Sequence, residues 1–382
     1  MSWIKKILGL QPKLTKFPKN TSWLLNDDLS VNVKNIRHCR EFAVLKNIKQ
    51  TPKYHAEGNA WNHTLLVAKE MHNIINNQLS GISPRDKRIL MIAAACHDLG
   101  KATTTYWDTK ENDWKCKNHG AVGERITREL LYDETDKWMR EEICWLVRWH
   151  MDFHHFTEKN NNEKYSKLTA LSQGNSSIEK LLWLNVADSL GSHSKENTRG
   201  SIMARFDEIK EMAETYNCYR KPYQAFKNKS TFNMYVMIGV PGSGKDTYIQ
   251  KFLPNLDTVC RDDIREELAY GEIRGNKLLL DKTKEAMVTD IVNKRIQKLC
   301  TEKKSFIVNQ TNMKKKYRTL LKETAFKYGI PNIIYIYVEA PSIDECKERR
   351  GHGKWDGIID RMWNEFEFPD RNECNELIFY KQ

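Results

Sequence analysis

The sequence predicts a multidomain chain in which an all-α helical half is followed by an α/β half built on a central parallel sheet. Three observations carry this. At 382 residues the chain exceeds what one hydrophobic core usually supports. From about residue 36 to 217 the apolar residues recur at helical spacing, and no run alternates as a half-buried strand would. Beyond residue 231, short apolar runs alternate with amphipathic stretches, the pattern of parallel strands joined by crossover helices. The expected divisions are an N-terminal extension (1–35), a helical domain (36–220), a linker (221–231) and an α/β domain (232–382).

In the helical half, His63, Leu66, Val67, Met71, Ile74 and Ile75 share one helical face, as do Ile89, Ile92, Ala93 and Cys96. The polar stretches 158–164 and 172–177 read as loops. Histidine carries the chemistry. "AACHDLGK" sets His97 beside Asp98 at a helix end, where imidazole and carboxylate can share a divalent cation, and Gly100 allows a turn. His63 stands in "EGNAWNHTLLV" and Asp188 in "WLNVADSLGS". This order, His, His-Asp, Asp, resembles the HD phosphohydrolase superfamily. The resemblance implies that His63, His97, Asp98 and Asp188 bind one cation, and that His119 in "KNHGAVGE" and His150 in "VRWHM" bind a second. Lys101 is then placed to meet a substrate phosphate, with His154 and His155 as loop neighbours. His38, His55, His72, His193 and His352 read as structural or surface residues. Mixed histidine and carboxylate ligation suits Mn2+, Ni2+, Co2+, Fe2+ or Zn2+ better than Ca2+.

In the α/β half, the strand-like "MYVMI" runs into "GVPGSGKDT", a Gly-x4-Gly-Lys turn that opens a helix. That context makes it an ATP phosphate cradle. Gly239, Pro241, Gly242, Ser243 and Gly244 form the curl, Lys245 neutralises phosphate charge, and Thr247 supplies a hydroxyl. Asp246 occupies the place where a serine or threonine usually helps to hold Mg2+. Strand-like "LDTV" leads to "CRDDIREEL", and "SFIVNQTNM" reads as the next strand and its exit. The basic "KKKYR" (314–318) either tracks a nucleic-acid backbone or is a solvated face. After "IIYIYV" come a helix, a glycine-containing loop and a second helix holding Arg349, Arg350 and Arg361.

The Arg-Asp-Asp element with its following arginine resembles the phage-type 5′-hydroxyl polynucleotide kinases. On that resemblance Asp262 accepts the proton of the attacking hydroxyl, Arg265 holds the acceptor's neighbouring phosphate, and Arg349 and Arg350 are lid arginines on the transferring phosphate. Gln310 stands where that family often has aspartate. The order of the two halves is similar to that of the HD-Pnk end-healing enzymes. It implies a kinase for 5′-OH RNA or DNA ends, using ATP with Mg2+, and a hydrolase for 2′,3′-cyclic or terminal phosphates, with a polynucleotide ligase acting downstream. Two other readings fit the same motifs: an HD nucleotidase fused to a small nucleoside or nucleotide kinase, and a regulatory module that senses ATP. Base stacking on Trp355 or Trp363 is indistinguishable from core packing at this level.

Composition is consistent with a polyanionic partner, since 62 Lys and Arg against 50 Asp and Glu give a formal charge of +12. Nine scattered cysteines without a CxxC pair point to a reducing cytoplasm. No apolar window is long enough for a membrane span.

Overall fold

A computed structural model describes residues 23–79, 81–132, 136–154, 156–194, 198–220, 229–269, 282–340, 342–353 and 355–381. The chain forms two compact units, residues 1–223 and 224–382. Most of the expected linker and His155 lie outside the described residues. No described helix is long and apolar enough to cross a membrane.

The first unit is helical. Its main elements are α1 (Ala60–Asn77), α2 (Pro84–Cys96), α3 (His119–Leu130), α4 (Lys137–Trp149), α5 (Asn161–Ser172), α6 (Ile178–Gly191) and α7 (Arg199–Thr215). Their starts are set by side-chain caps. Asn59, Ser83, Asp136, Ser177 and Thr198 each accept a hydrogen bond from a free backbone N–H of the first turn. The residues expected on one face of α1, Val67, Met71, Ile74 and Ile75, are buried against α2 and α6. The core also takes in Trp23, Leu24 and Leu25, so the described end of the N-terminal extension packs on the helical core.

Two expectations for this unit are corrected. The stretch 158–164, read as a loop, is helical from Asn161, because Asn160 and Glu163 form a capping box that starts α5. Between α2 and α3 lies an antiparallel hairpin, β1 (Thr105–Asp108) and β2 (Asp113–Cys116), in a region read as almost wholly helical. Strands of four residues are too short for their alternation to stand out in the sequence.

The second unit is an open sheet of five parallel strands in the order β4-β5-β3-β6-β7. The strands are β3 (Asn233–Ile238), β4 (Asp257–Cys260), β5 (Phe306–Asn309), β6 (Asn332–Glu339) and β7 (Glu376–Lys381). Helices α8 (Lys245–Phe252), α9 (Arg261–Ala269), α10 (Lys282–Thr301), α11 (Lys315–Tyr328), α12 (Ile343–Arg349) and α13 (Asp356–Asn364) connect them. Apolar clusters lie on both sheet faces, which is why β3 and β6 read as near-continuous hydrophobic runs. Parallel register pairs Val236 and Val259 with the same residue, Val308. The turns that follow β3 and β4 therefore open at the same edge of the sheet, where ligands of such sheets bind.

Candidate functional sites

In the helical unit, four helix ends and one helix interior converge. His63 sits in the first turn of α1, His97 and Asp98 follow α2, His119 opens α3, His150 follows α4, and Asp188 points from α6. All six side chains are buried. They form two adjoining triads, His63/His97/Asp188 and Asp98/His119/His150, within each of which the ligand atoms lie within 4.8 Å of one another. Asp98 divides between them. Its Oδ2 lies 3.3 Å from His97 Nε2 and 3.6 Å from His63 Nε2, and its Oδ1 lies 3.6 Å from His119 Nε2 and 3.8 Å from His150 Nε2.

The hydrogen bonds behind the imidazoles say what this space accepts. His97, His119 and His150 each place Nδ1 on a backbone carbonyl, those of Ala94 (2.8 Å), Cys116 (3.1 Å) and Val147 (2.8 Å). Nδ1 must therefore carry the proton, and Nε2 presents a lone pair. Yet His119 Nε2 and His150 Nε2 stand 3.1 Å apart with a carboxylate oxygen beside them. Burial lowers the basicity of both rings, so neither carries the proton that would join them. Three converging lone-pair donors in a dry site fit a cation. The ligand atoms of the first triad lie as close together, but its His63 is held as a cation between two carboxylates. His63 Nδ1 faces Glu57 at 2.9 Å, His63 Nε2 stands 3.3 Å from His97 Nε2, and Asp188 Oδ1 is 2.9 Å from His63 Nε2. For His63, burial disfavours charge, but bonds to Asp188 and Glu57 outweigh it and raise the pKa to about 9.

Lys101 and His154, expected beside this site, and His55, Glu57 and Gln50, which were not, surround the triads. Lys101 is buried, its ammonium 2.7 Å from Asp98 Oδ2 and donating to Gln50 Oε1 at 2.6 Å. His154 lies 3.0 Å from Asp188 Oδ2. His55, read as structural, shares the Glu57 carboxylate with His63 at 2.8 Å. Glu57 and Gln50 sit in the irregular stretch before α1, where no periodicity marks them. Gly100 has an ordinary helical φ of −66°, so conformational freedom is not its role. Instead, a Cβ there would lie 1.9 Å from the His119 carbonyl oxygen. The close approach of the His-Asp turn to α3 requires a glycine. The ends of α3 and α4 are held in place by buried ion pairs: Arg128 with Glu124 and Glu141, both at 2.8 Å, and Arg148 with Glu124 at 2.5 Å.

In the α/β unit, Gly242, Gly244, Lys245, Asp246, Thr247, Arg349 and Arg350 line a cleft of about 380 Å³. Gly244 has φ +97° immediately before α8, a value that favours glycine. Pro241 and Ser243 are buried in the turn behind it, and Gly239 donates its N–H to Thr311 O at 3.1 Å. The Lys245 ammonium donates to the carbonyls of Gly239 and Val240, each at 3.0 Å. Burial pulls it down to about 8; Asp246 opposes the shift and Arg350 adds to it. A bound polyphosphate favours the ammonium form. Nucleotide binding should therefore take up about half a proton at pH 8, nearly one at pH 9 and about a tenth at pH 7. Calorimetry in buffers of different ionisation enthalpy checks this, and a buffer-independent heat at pH 8 to 9 would refute it.

Asp246 is exposed, and its carboxylate accepts from Asn309 Nδ2 at 2.8 Å, at the tip of β5. Asp262, at the start of α9, is 74% exposed and outside the cleft lining, although its charge is among those that act on Lys245. Arg265 pairs with Asp262 at 2.5 Å and with Glu285 at 2.7 Å. Arg349 reaches the Gly242 carbonyl at 3.2 Å, and Arg350 lies over the Trp355 ring at 5.6 Å. Trp363 stacks on Phe366 and packs on the apolar core, while Arg361 is exposed. Gln310 is partly buried, and Asn312 donates to Met237 O at 2.8 Å, bracing β3 below the cradle. In "KKKYR", Lys314 pairs with Glu365, Lys315 with Asp370 and the buried Arg318 with Glu373. Those three cations serve the fold, which weakens their reading as a nucleic-acid track.

Comparison with known proteins finds the same two regions. The HD domain family matches residues 60–190 and the AAA domain family matches residues 234–352. The chain is 26% identical over 175 residues to the CC-adding tRNA nucleotidyltransferase of Thermus thermophilus, covering 44% of this chain and 36% of that protein. It is 39% identical over 64 residues to the multifunctional CCA protein of Pasteurella multocida, covering 17% of this chain and 14% of that protein. The chain thus spans 36% of the length of the first of these curated relatives and 14% of the second. A sugar kinase structure from Janibacter sp. matches 39% of this chain and 85% of its own at 18% identity, with a TM-score of 0.30. The chain therefore carries a helical HD region followed by an α/β unit whose five-stranded parallel sheet has the P-loop kinase fold.

Proposed function

We propose that this chain heals broken nucleic-acid ends: the α/β unit phosphorylates a 5′-hydroxyl from ATP, and the HD unit hydrolyses a 2′,3′-cyclic or terminal phosphate. The observation that carries the reading is that one chain holds both a cation site suited to removing phosphate and a cradle suited to adding it.

In the HD unit, His63, His97, Asp98 and Asp188 would hold one divalent cation, and Asp98, His119 and His150 another. Such cations supply Lewis-acid activation of water and of a phosphoryl oxygen. The chain's own part is to keep the imidazole lone pairs aimed inward. Lys101, tied to Asp98, stands ready to share its charge with a substrate phosphate.

In the kinase unit, Lys245 leaves its two carbonyls for the phosphates, and Arg349 and Arg350 neutralise charge as it moves to the leaving group. Asp262 accepts the hydroxyl proton. Arg265 exchanges one of its carboxylate partners for the acceptor's phosphate. The relatives' names support a nucleic-acid substrate, one of them being a tRNA nucleotidyltransferase.

The test is a matched set of RNA and DNA oligonucleotides with 5′-OH, 3′-phosphate or 2′,3′-cyclic ends, run beside mononucleosides and mononucleotides. ATP-dependent labelling of 5′-OH oligonucleotides and metal-dependent loss of terminal phosphate are expected. Preference for mononucleosides would replace this reading with nucleotide metabolism, and absence of transfer to any acceptor would leave a nucleotide sensor.

A further inference from the structure

The unforeseen hairpin has two unlike faces. Pairing Thr105 with Cys116 and Trp107 with Trp114 sets those four residues on one face, and Tyr106, Asp108, Asp113 and Lys115 fall on the other. Trp107 is 44% exposed although it is a large aromatic, and its ring meets Trp114 edge to face at 5.2 Å. The ammonium of Lys49 lies 5.9 Å from the Trp114 ring centre. The acidic side chains on the opposite face are engaged locally: Asp108 accepts from Lys110 N at 2.9 Å, and Asp113 from Trp114 N at 2.7 Å.

The indole face leads to the cation site. β1 begins one helical turn after Lys101, and β2 ends at Cys116, whose carbonyl accepts from His119 Nδ1. An exposed indole beside a half-buried one, flanked by lysine and continuous with a phosphate-handling site, fits a single-stranded end: bases stack on the rings while cations meet the backbone.

We propose that the Trp107–Trp114 face is a stacking platform that seats the terminal base of a single-stranded RNA or DNA end and delivers its phosphate to the HD site. This rests on the end-healing reading above. It makes the hydrolase selective for phosphates attached to a base, without any contact from the hairpin to the reacting atoms.

The experiment is a double-mutant cycle on the full chain with Mn2+. The substrates are a 3′-phosphorylated hexanucleotide, the same oligomer with an abasic terminal residue, and p-nitrophenyl phosphate. Trp107→Ala and Trp114→Ala should lower kcat/KM for the hexanucleotide, relative to p-nitrophenyl phosphate, by about tenfold or more, chiefly through KM. Removing the base should cost wild type a similar factor and cost Trp107→Ala nothing further. Trp107→Phe should restore most of the ratio, and Tyr106→Ala, on the opposite face, should leave it unchanged. An equal abasic penalty in wild type and Trp107→Ala would overturn the platform alone. Wild type that hydrolyses p-nitrophenyl phosphate but no oligonucleotide end would instead overturn end healing, and the platform with it.

Discussion

Asp98→Asn is expected to lower hydrolysis by the HD unit by about 10³-fold or more while leaving ATP-dependent kinase activity intact. The reason is its divided carboxylate. Each oxygen faces a different histidine pair, so this one substitution weakens both triads at once. An amide keeps the shape but replaces one oxygen by an N–H donor, which points a positive hydrogen at the space meant for a cation. His119→Ala, by contrast, touches only the second triad. Metal analysis of protein purified in Mn2+ should therefore show a full loss for Asp98→Asn and a loss of one of two ions for His119→Ala. Asp98→Asn also deprives the buried Lys101 of its counter-ion and should lower Tm. A helical circular-dichroism signal equal to that of wild type shows that the helical unit of such a variant is still folded. Undiminished metal content in Asp98→Asn would refute the shared-ligand arrangement.

The six side chains that meet in this site were legible in the sequence through their resemblance to the HD pattern, His, His-Asp and Asp with two further histidines. What orients them was not. Glu57 fixes the proton of His63, and the carbonyls of Ala94, Cys116 and Val147 fix those of the other rings. Backbone carbonyls leave no trace in residue identity, and Glu57 lies in an irregular stretch that carries no period. Gly100 was noticed for the wrong reason, because contact with His119 O depends on how α3 returns to α2, a long-range fact. The same holds for "KKKYR": charge along the chain was plain, but its partners Glu365, Asp370 and Glu373 lie about fifty residues away and join it only through the fold. In the α/β unit the apolar strands could be read directly because both their faces are covered, and the cradle because its backbone shape demands glycine. The Arg265–Glu285 pair could not, since nothing in either segment requires the other.

Lys245→Ala is expected to reduce kinase kcat by about 10³-fold, whereas Asp246→Ser should change it by less than about fivefold. The two residues are adjacent but differ in what surrounds them. The Lys245 ammonium is partly withdrawn from water, with its pKa drawn down to about 8, and is held by two carbonyls that it can exchange for phosphate oxygens. A charge already desolvated in that way stabilises a developing negative charge without reorganising solvent, and so it acts strongly in the transition state. Asp246 is exposed, its partner is the neutral Asn309 amide, and an exposed carboxylate is screened by water. Its substitution by serine supplies a hydroxyl that can serve in the same place. Measuring kcat and KM for ATP in both variants at saturating 5′-OH oligonucleotide decides the matter. Equal loss in the two would show that the aspartate takes part in transfer, through the Asn309 contact that orients it, and Asn309→Ala should then reproduce the Asp246→Ser defect.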